Sequence, residues 1–184
     1  MDRRIKYTKE TIKNTFLEML ENKDIKKITV SEICKKADIN RATFYRYYLD
    51  VFDLLDSIKK ELEAELKNSY IQKNNEKNTI HNFYKSILSV FLENKKLVKL
   101  LFNIDNGLYF LNNILEIAYT SCREKWEEKL PNCSQENMEY ATVFIFNGAL
   151  GVINFWIQND FNKDIDEIAN TIEQLSENGT KNYI

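Results

Sequence analysis

One proline and four glycines in 184 residues leave almost none of the punctuation that strands and tight turns require. An all-α chain is expected. Three cysteines, at positions 34, 122 and 133, have no CxxC spacing, which excludes a disulfide framework and a structural zinc site. A lone histidine, His81, cannot build a multi-histidine metal centre. With Asn78, Thr79 and Asn82 around it near a helix start, it reads as a surface residue. No Gly-rich phosphate loop is present, and Gly148 and Gly151 stand in an apolar helix. No Ser or Cys has a plausible base partner, so catalytic residues, metals and cofactors are not expected and the chain does not read as an enzyme. The opening residues MDRRIKYTKE carry charge without a following apolar run, so no signal peptide is expected and the cytoplasm is the expected compartment.

Charge is unevenly placed. The whole chain carries −2, yet residues 1–60 hold 14 Lys/Arg against 10 Asp/Glu, net +4, and the remainder 12 against 18, net −6. Ordinary surface scatter can give such a difference. It is also the asymmetry expected when a small basic unit alone meets an anionic partner.

Hydrophobic periodicity divides the chain into about nine helices. Ile12, Phe16, Met19 and Leu20 stripe a first helix, from about Thr8 to Glu21. A charged connection, Asn22 to Lys27, leads to Thr29-Val-Ser-Glu32, a capping box in which Thr29 caps and Glu32 reaches back to its amide. The second helix then buries Val30, Ile33, Cys34 and Ala37. Asn40 can cap a short third helix, Arg41 to about Tyr48. A fourth helix, from about Asp50 to Ile71, carries the stripe Val51, Leu55, Ile58, Leu62 and Leu66. Beyond the polar stretch Gln72 to Asn78, further helices are marked by Ile80, Phe83, Tyr84, Ile87 and Phe91; by Leu97, Leu100 and Leu101; and by Leu108, Leu111, Leu115, Cys122 and Trp126. After a break at Lys129 to Cys133, the helix from Tyr140 to Ile157 is apolar nearly all round. Ile165, Ile168, Ile172 and Leu175 stripe the last.

The informative stretch is TVSEICKKADINRATFYRYY, Thr29 to Tyr48. Two helices joined by a three-residue turn suit a unit in which one helix braces across phosphates and the other enters the major groove. The third helix is too short to stand alone, so packing must hold it. Phe44 and Tyr48 can turn inward against Ile33, Ala37 and Ile39. Arg41, Ala42, Thr43, Tyr45, Arg46 and Tyr47 then turn outward. Arginine can bridge guanine O6 and N7, threonine can touch a thymine methyl, and tyrosine hydroxyls suit phosphate oxygens.

In Thr29-Val30, Ile33-Cys34, Ala37, Ile39 and Thr43-Phe44-Tyr45-Arg46-Tyr47-Tyr48 the chain resembles the N-terminal domain of the TetR family of bacterial transcriptional regulators, over about Thr8 to Leu55. The resemblance implies a three-helix helix-turn-helix domain at residues 1–48 and a helical effector-binding and dimerisation domain at 49–184. It implies phosphate contacts from Thr29, Tyr45 and Tyr47, with Arg41, Ala42, Thr43 and Arg46 facing the groove. The family's usual lysine at the start of the fourth helix is Val51 here, which leaves Asp50 to cap that helix and its amide dipole as a weaker phosphate donor. The family's usual alanine after Ile33 is Cys34, which can fill the same packed site.

The stretch FIFNGALGVINFWIQNDFNKDIDEIANTI resembles the closing helix pair of short-chain members, which pairs with its copy in a dimer. An all-round apolar helix needs two buried faces, and Asn147-Gly-Ala-Leu-Gly151 lacks the bulk that would keep another helix away. The expected homodimer interface comprises Phe144, Gly148, Gly151, Val152, Phe155, Trp156, Ile168 and Ile172. A membrane span is the rival reading of this helix, but Thr142, Asn147 and Asn154 make it too polar and too short, and no membrane partner is expected. Phe83, Tyr84, Phe102, Tyr119, Trp126 and Phe144 are candidates to line a small-molecule effector pocket, although ordinary core filling accounts for most aromatics in this half. The expected function is that of a regulator, in the first instance a repressor, binding double-stranded DNA at a palindromic operator. Val51 and the modest +4 leave open a helical dimer that binds a small molecule or protein without DNA.

Overall fold

The computed structural model describes residues 3–73, 80–105 and 133–181, and every regular element in them is helical. The fold is all-α. Helix α1 spans Arg3–Leu20, α2 Val30–Lys36, α3 Arg41–Tyr45, α4 Val51–Lys73, α5 Ile80–Glu93, α6 Lys95–Asp105, α7 Gln135–Gln158 and α8 Ile165–Thr180. The helix expected over Leu108 to Trp126 lies outside the described residues. Two compact units, Met1–Glu63 and Ala64–Ile184, divide within α4.

In the first unit α1 packs on α2, and α2 on α3. Ile12, Thr15 and Phe16 form the buried face of α1. The helix begins five residues before the expected Thr8, because nothing in Arg3 to Tyr7 breaks it. Thr8 is internal, its hydroxyl donating to the Arg4 carbonyl at 2.9 Å. The connection expected at Asn22 to Lys27 holds a turn of 3-10 helix, Ile25–Lys27, capped by Asp24. Ile25, its first residue, and Ile28, just after it, are buried, so a segment that reads as charged contributes to the core. Val51, Leu55, Ile58, Leu62 and Leu66 are all buried along α4, as their spacing predicts.

In the second unit α8 packs on both α5 and α7, and α6 on α5 and α7. Helix α7 is long and apolar enough to cross a membrane, but half of its most apolar window is buried inside the unit. Met138, Ala141, Ile145, Leu150, Ile153 and Ile157 are among the side chains that turn inward. At the turn into α8, Asp160 and Phe161 take left-handed φ of 60° and 57°. The turn is held on several sides. The Phe161 ring lies 4.8 Å from that of Trp156, and the Trp156 indole N–H donates to the Lys163 carbonyl at 2.9 Å. Lys99 and Lys95 on α6 reach Asp160 at 2.6 and 3.1 Å and keep its carboxyl below the usual range.

Three expectations change in this unit. Leu175 is 58 % exposed, because the buried line of α8 runs through Ile168, Ile172, Ser176 and Thr180. Ile165 is only half-buried, at the opening turn. His81 is not a free surface residue: its side chain is three-quarters covered, with Nε2 3.5 Å from Asp166 and Nδ1 3.5 Å from Glu173 across the α5–α8 contact.

Phe44, with no exposed surface, fills the centre of the first unit. Replacing it with alanine is expected to cost about 3–5 kcal/mol, read by chemical denaturation followed through the signal of the first unit. A loss below about 1 kcal/mol would mean that α3 is held by other contacts.

Candidate nucleic-acid interface

The N-terminus of α2 is closed by the expected box. The Glu32 amide donates to the Thr29 hydroxyl at 3.3 Å, and the Glu32 carboxylate accepts from the Thr29 amide at 3.0 Å. The carboxylate also accepts from the Thr29 hydroxyl at 2.9 Å and meets Lys23 at 2.7 Å. The Lys23 ammonium first, and then the donors of Thr29, hold the Glu32 carboxyl down to about 2, from an ordinary 4.5. Thr29 therefore stands exposed at the helix start with both donors already engaged, so a phosphate there must displace a carboxylate.

Between α2 and α3 the chain reverses at Asp38, whose φ of 53° is left-handed. Aspartate tolerates that conformation better than a branched residue. The Ile39 amide bonds back to the Cys34 carbonyl at 3.0 Å, giving the long bond of a Schellman ending. Cys34 is buried where its spacing put it, and burial pushes its thiol up.

Asn40 caps α3 as expected, its Oδ1 accepting from the Thr43 amide at 2.7 Å and from the Thr43 hydroxyl at 2.9 Å. Regular helix ends at Tyr45, three residues before the expected end. A last turn follows, with the amides of Tyr47 and Tyr48 both bonding to the Phe44 carbonyl at 2.9 and 3.0 Å. Phe44 and Tyr48 point inward, their ring centroids 5.6 Å apart. Burial, chiefly, raises the Tyr48 hydroxyl. Arg41, Ala42, Tyr45 and Arg46 are exposed, and Thr43 and Tyr47 half-buried, so each of these side chains is at least partly open to solvent.

Two features of this surface escaped the sequence reading. The Arg41 guanidinium donates to the Ser31 hydroxyl at 2.7 Å, across from α3 to α2. The Lys9 ammonium of α1 lies 5.5 Å from the Tyr47 ring centroid and 6.0 Å from that of Tyr48. Both join residues far apart in sequence, beyond the reach of helical spacing.

The start of α4 carries the expected cap and a second carboxylate. Asp50 does cap it, accepting from the Phe52 amide at 2.8 Å and the Asp53 amide at 2.9 Å, while the Leu49 amide donates to Asp53 at 2.8 Å. The amides of Leu49, Phe52 and Asp53 are thereby satisfied within the chain. Val51 is buried, and the exposed apolar groups are Leu49 and Phe52.

The other predicted sets are distributed as follows. Phe83, Tyr84 and Phe102 are buried in the second unit. Phe144 is 58 % exposed and lies over Gly179, where an added Cβ would come within 2.8 Å of its ring. It does not join the other three in the core, and Tyr119 and Trp126 lie outside the described residues. Of the predicted dimer residues, Phe144, Gly148, Gly151 and Phe155 are exposed and Val152 is half-buried. Among the described residues, nothing lies within 4 Å of a Cβ added at Gly148 or Gly151. Trp156, Ile168 and Ile172 are buried in the unit's own core, and Tyr140, Val143 and Leu175 extend the exposed apolar set.

A family model described as a transcriptional regulator C-terminal region, of TetR type, matches residues 78–178. The chain is 39 % identical over 67 residues to YxbF of Bacillus subtilis (strain 168), an uncharacterised HTH-type transcriptional regulator. That match covers 36 % of this chain and 18 % of YxbF, so less than a fifth of the relative's length is represented. A TetR transcriptional regulator from Streptococcus agalactiae 2603V has the same fold at TM-score 0.68 and 20 % identity, over 95 % of this chain and 96 % of that one. FadR from Bacillus subtilis, solved in complex with stearoyl-CoA, superposes at TM-score 0.66 and 18 % identity, over 91 % and 96 %.

The box at α2 makes stability depend on pH in a set direction. The folded-state value of Glu32 lies below its unfolded one, so its stabilisation is complete above about pH 4.5 and is lost as pH falls toward 2. Denaturation of the wild type and Glu32→Gln should differ at pH 6 and converge toward pH 2. A difference that holds constant with pH would remove the ionised box from the structure's stability. Thr29→Ala should cost about 1 kcal/mol at neutral pH.

Proposed function

Because this chain belongs to the TetR family of transcriptional regulators, we propose that it is a homodimeric, DNA-binding repressor whose recognition surface is the outward face of residues 41–47. The observation that carries the reading is the inward pair Phe44 and Tyr48. Their burial leaves two arginines, a threonine and two tyrosines projecting from one rigid turn. Arg41 and Arg46 supply bidentate donors for guanine edges, and Tyr45 and Tyr47 hydroxyls for phosphates. Ser31 fixes one end of Arg41 before DNA arrives, which lowers the entropy lost on binding.

Dimerisation is proposed through α7 with α8. Tyr140, Phe144, Phe155 and Leu175 leave an apolar surface on these helices, and Gly148 and Gly151 open the α7 face to a close neighbour. A twofold axis there would pair two recognition helices on a palindromic operator. Occupancy of such a site excludes polymerase from the same DNA, so repression is the proposed output. Release by a small-molecule effector in the second unit is part of the proposal and is supported by family membership alone. The second reading, a dimer that does not bind DNA, is favoured by one observation: the carboxylates of Asp50 and Asp53 occupy the start of α4.

Binding to DNA upstream of its own coding sequence should fall steeply with salt, with a log–log slope of roughly −0.9 per phosphate contacted. Arg41→Ala should weaken the specific complex by about 1–3 kcal/mol and relax discrimination at one base pair. A flat salt dependence with no footprint would select the second reading. For the dimer, Phe155→Arg should yield a helical monomer in sedimentation velocity with impaired operator binding. A Phe155→Arg protein that stays dimeric would place the interface elsewhere.

A further inference from the structure

We propose that Lys9, on α1, binds a DNA backbone phosphate beside the C-terminal end of the recognition helix. This rests on the DNA-binding reading above. Its ground is the contrast between what the two neighbouring helices place there. Helix α4 begins with two carboxylates, Asp50 and Asp53, whose oxygens take the amides of Leu49, Phe52 and Asp53. That end has no amide to spare at those three positions and repels a phosphate. Helix α1 instead brings an ammonium against the rings of Tyr47 and Tyr48, at 5.5 and 6.0 Å from their centroids.

The state of that ammonium distinguishes it from its neighbours on the same helix. Lys6 faces Glu10 at 3.9 Å, and Lys13 holds Glu61 at 2.7 Å. Lys9 makes no ion pair among the described residues; its partners are the two aromatic faces. A cation resting on rings keeps its full charge and two or three N–H donors for another acceptor, whereas one neutralised by a carboxylate must first exchange partners. Tyr47 is only half-buried, and it belongs to the same surface as exposed Tyr45 and Arg46. Lys9 thus adds a cation, held on the rings of Tyr47 and Tyr48, next in space to the donors of residues 45–47, where α4 contributes carboxylates. The contact is with the backbone and carries no sequence information, so Lys9 is assigned to affinity and register.

The test uses the full chain and two duplexes of equal length, one from its own upstream region and one unrelated, with binding followed by fluorescence anisotropy over a range of salt. Lys9→Gln should weaken both complexes by a similar factor and reduce the log–log salt slope by roughly 0.9 per protomer, thus roughly 1.8 for a dimer. Lys9→Arg, which keeps the charge and stacks on aromatic rings, should retain the wild-type slope. Denaturation of each variant separates a folding defect from a lost contact. If Lys9→Gln lowers affinity but leaves the slope intact, or changes neither, Lys9 only supports the tyrosine rings and the proposal fails. A wild type with no salt-dependent binding to either duplex would instead overturn the DNA-binding reading itself, an outcome seen before any variant is made.

Discussion

The first unit depends on the burial of Phe44 together with Tyr48. Helix α3 has five residues, whereas isolated helices shorter than roughly 12–15 are marginal in water. It exists because its inward side chains are removed from solvent, Asn40 satisfies its first amides, and the left-handed residue Asp38 lets the chain turn within three positions. Each of these is needed. Without the burial the turn has no reason to be helical, and without the cap and the reversal the helix could not begin where it does. The result is a short rod whose outward side chains make few contacts within the chain: Arg41 bonds to Ser31 and Thr43 to Asn40, the Tyr45 ring meets Phe44, and the Tyr47 ring meets Tyr48 and Lys9. That freedom is the physical content of a recognition surface.

In the second unit, α7 faces two demands. One side supplies Met138, Ala141, Ile145, Ile153 and Ile157 to the core, while the other leaves Tyr140, Val143, Phe144 and Phe155 in water. Exposed apolar surface of this kind on a single helix is costly for a monomer. The helix's end is fixed by the Trp156–Phe161 stack, the indole bond to Lys163, and the two lysines of α6 on Asp160. Gly179 of α8 has a specific task, giving the Phe144 ring room to lie against its helix. Gly148 and Gly151 have no such task among the described residues.

What was legible in the sequence was local. The caps at Thr29, Asn40 and Asp50 act over two or three residues, and the α4 stripe repeats every three or four, so both can be read without knowing the fold. The inward turn of Phe44 and Tyr48 follows from the same spacing. Direction failed where a helix has no clear phase. Apolar residues surround α7, so nothing in the pattern told that Trp156 turns inward while Phe155 turns outward. In α8, Leu175 looks like a core residue until Ser176 and Thr180 are seen in the core, their hydroxyls donating to carbonyls four residues back. Long-range meetings were invisible. Ser31 with Arg41, Lys9 with Tyr47, and His81 between Asp166 and Glu173 are brought together only by packing. Family-level resemblance anticipated the class of protein, but not the Asp53 carboxylate that joins the Asp50 cap at the start of α4 by taking the Leu49 amide.

The central claim is that residues 41–47 form the surface that meets duplex DNA. It is tested most directly by backbone amide NMR during titration with the upstream duplex. Shifts concentrated in residues 41–47, extending to Ser31 and Lys9 and leaving α5 and α8 unmoved, are the predicted result. Shifts that avoid residues 41–47 while duplex is bound, or a spectrum unchanged at saturating duplex, would contradict it.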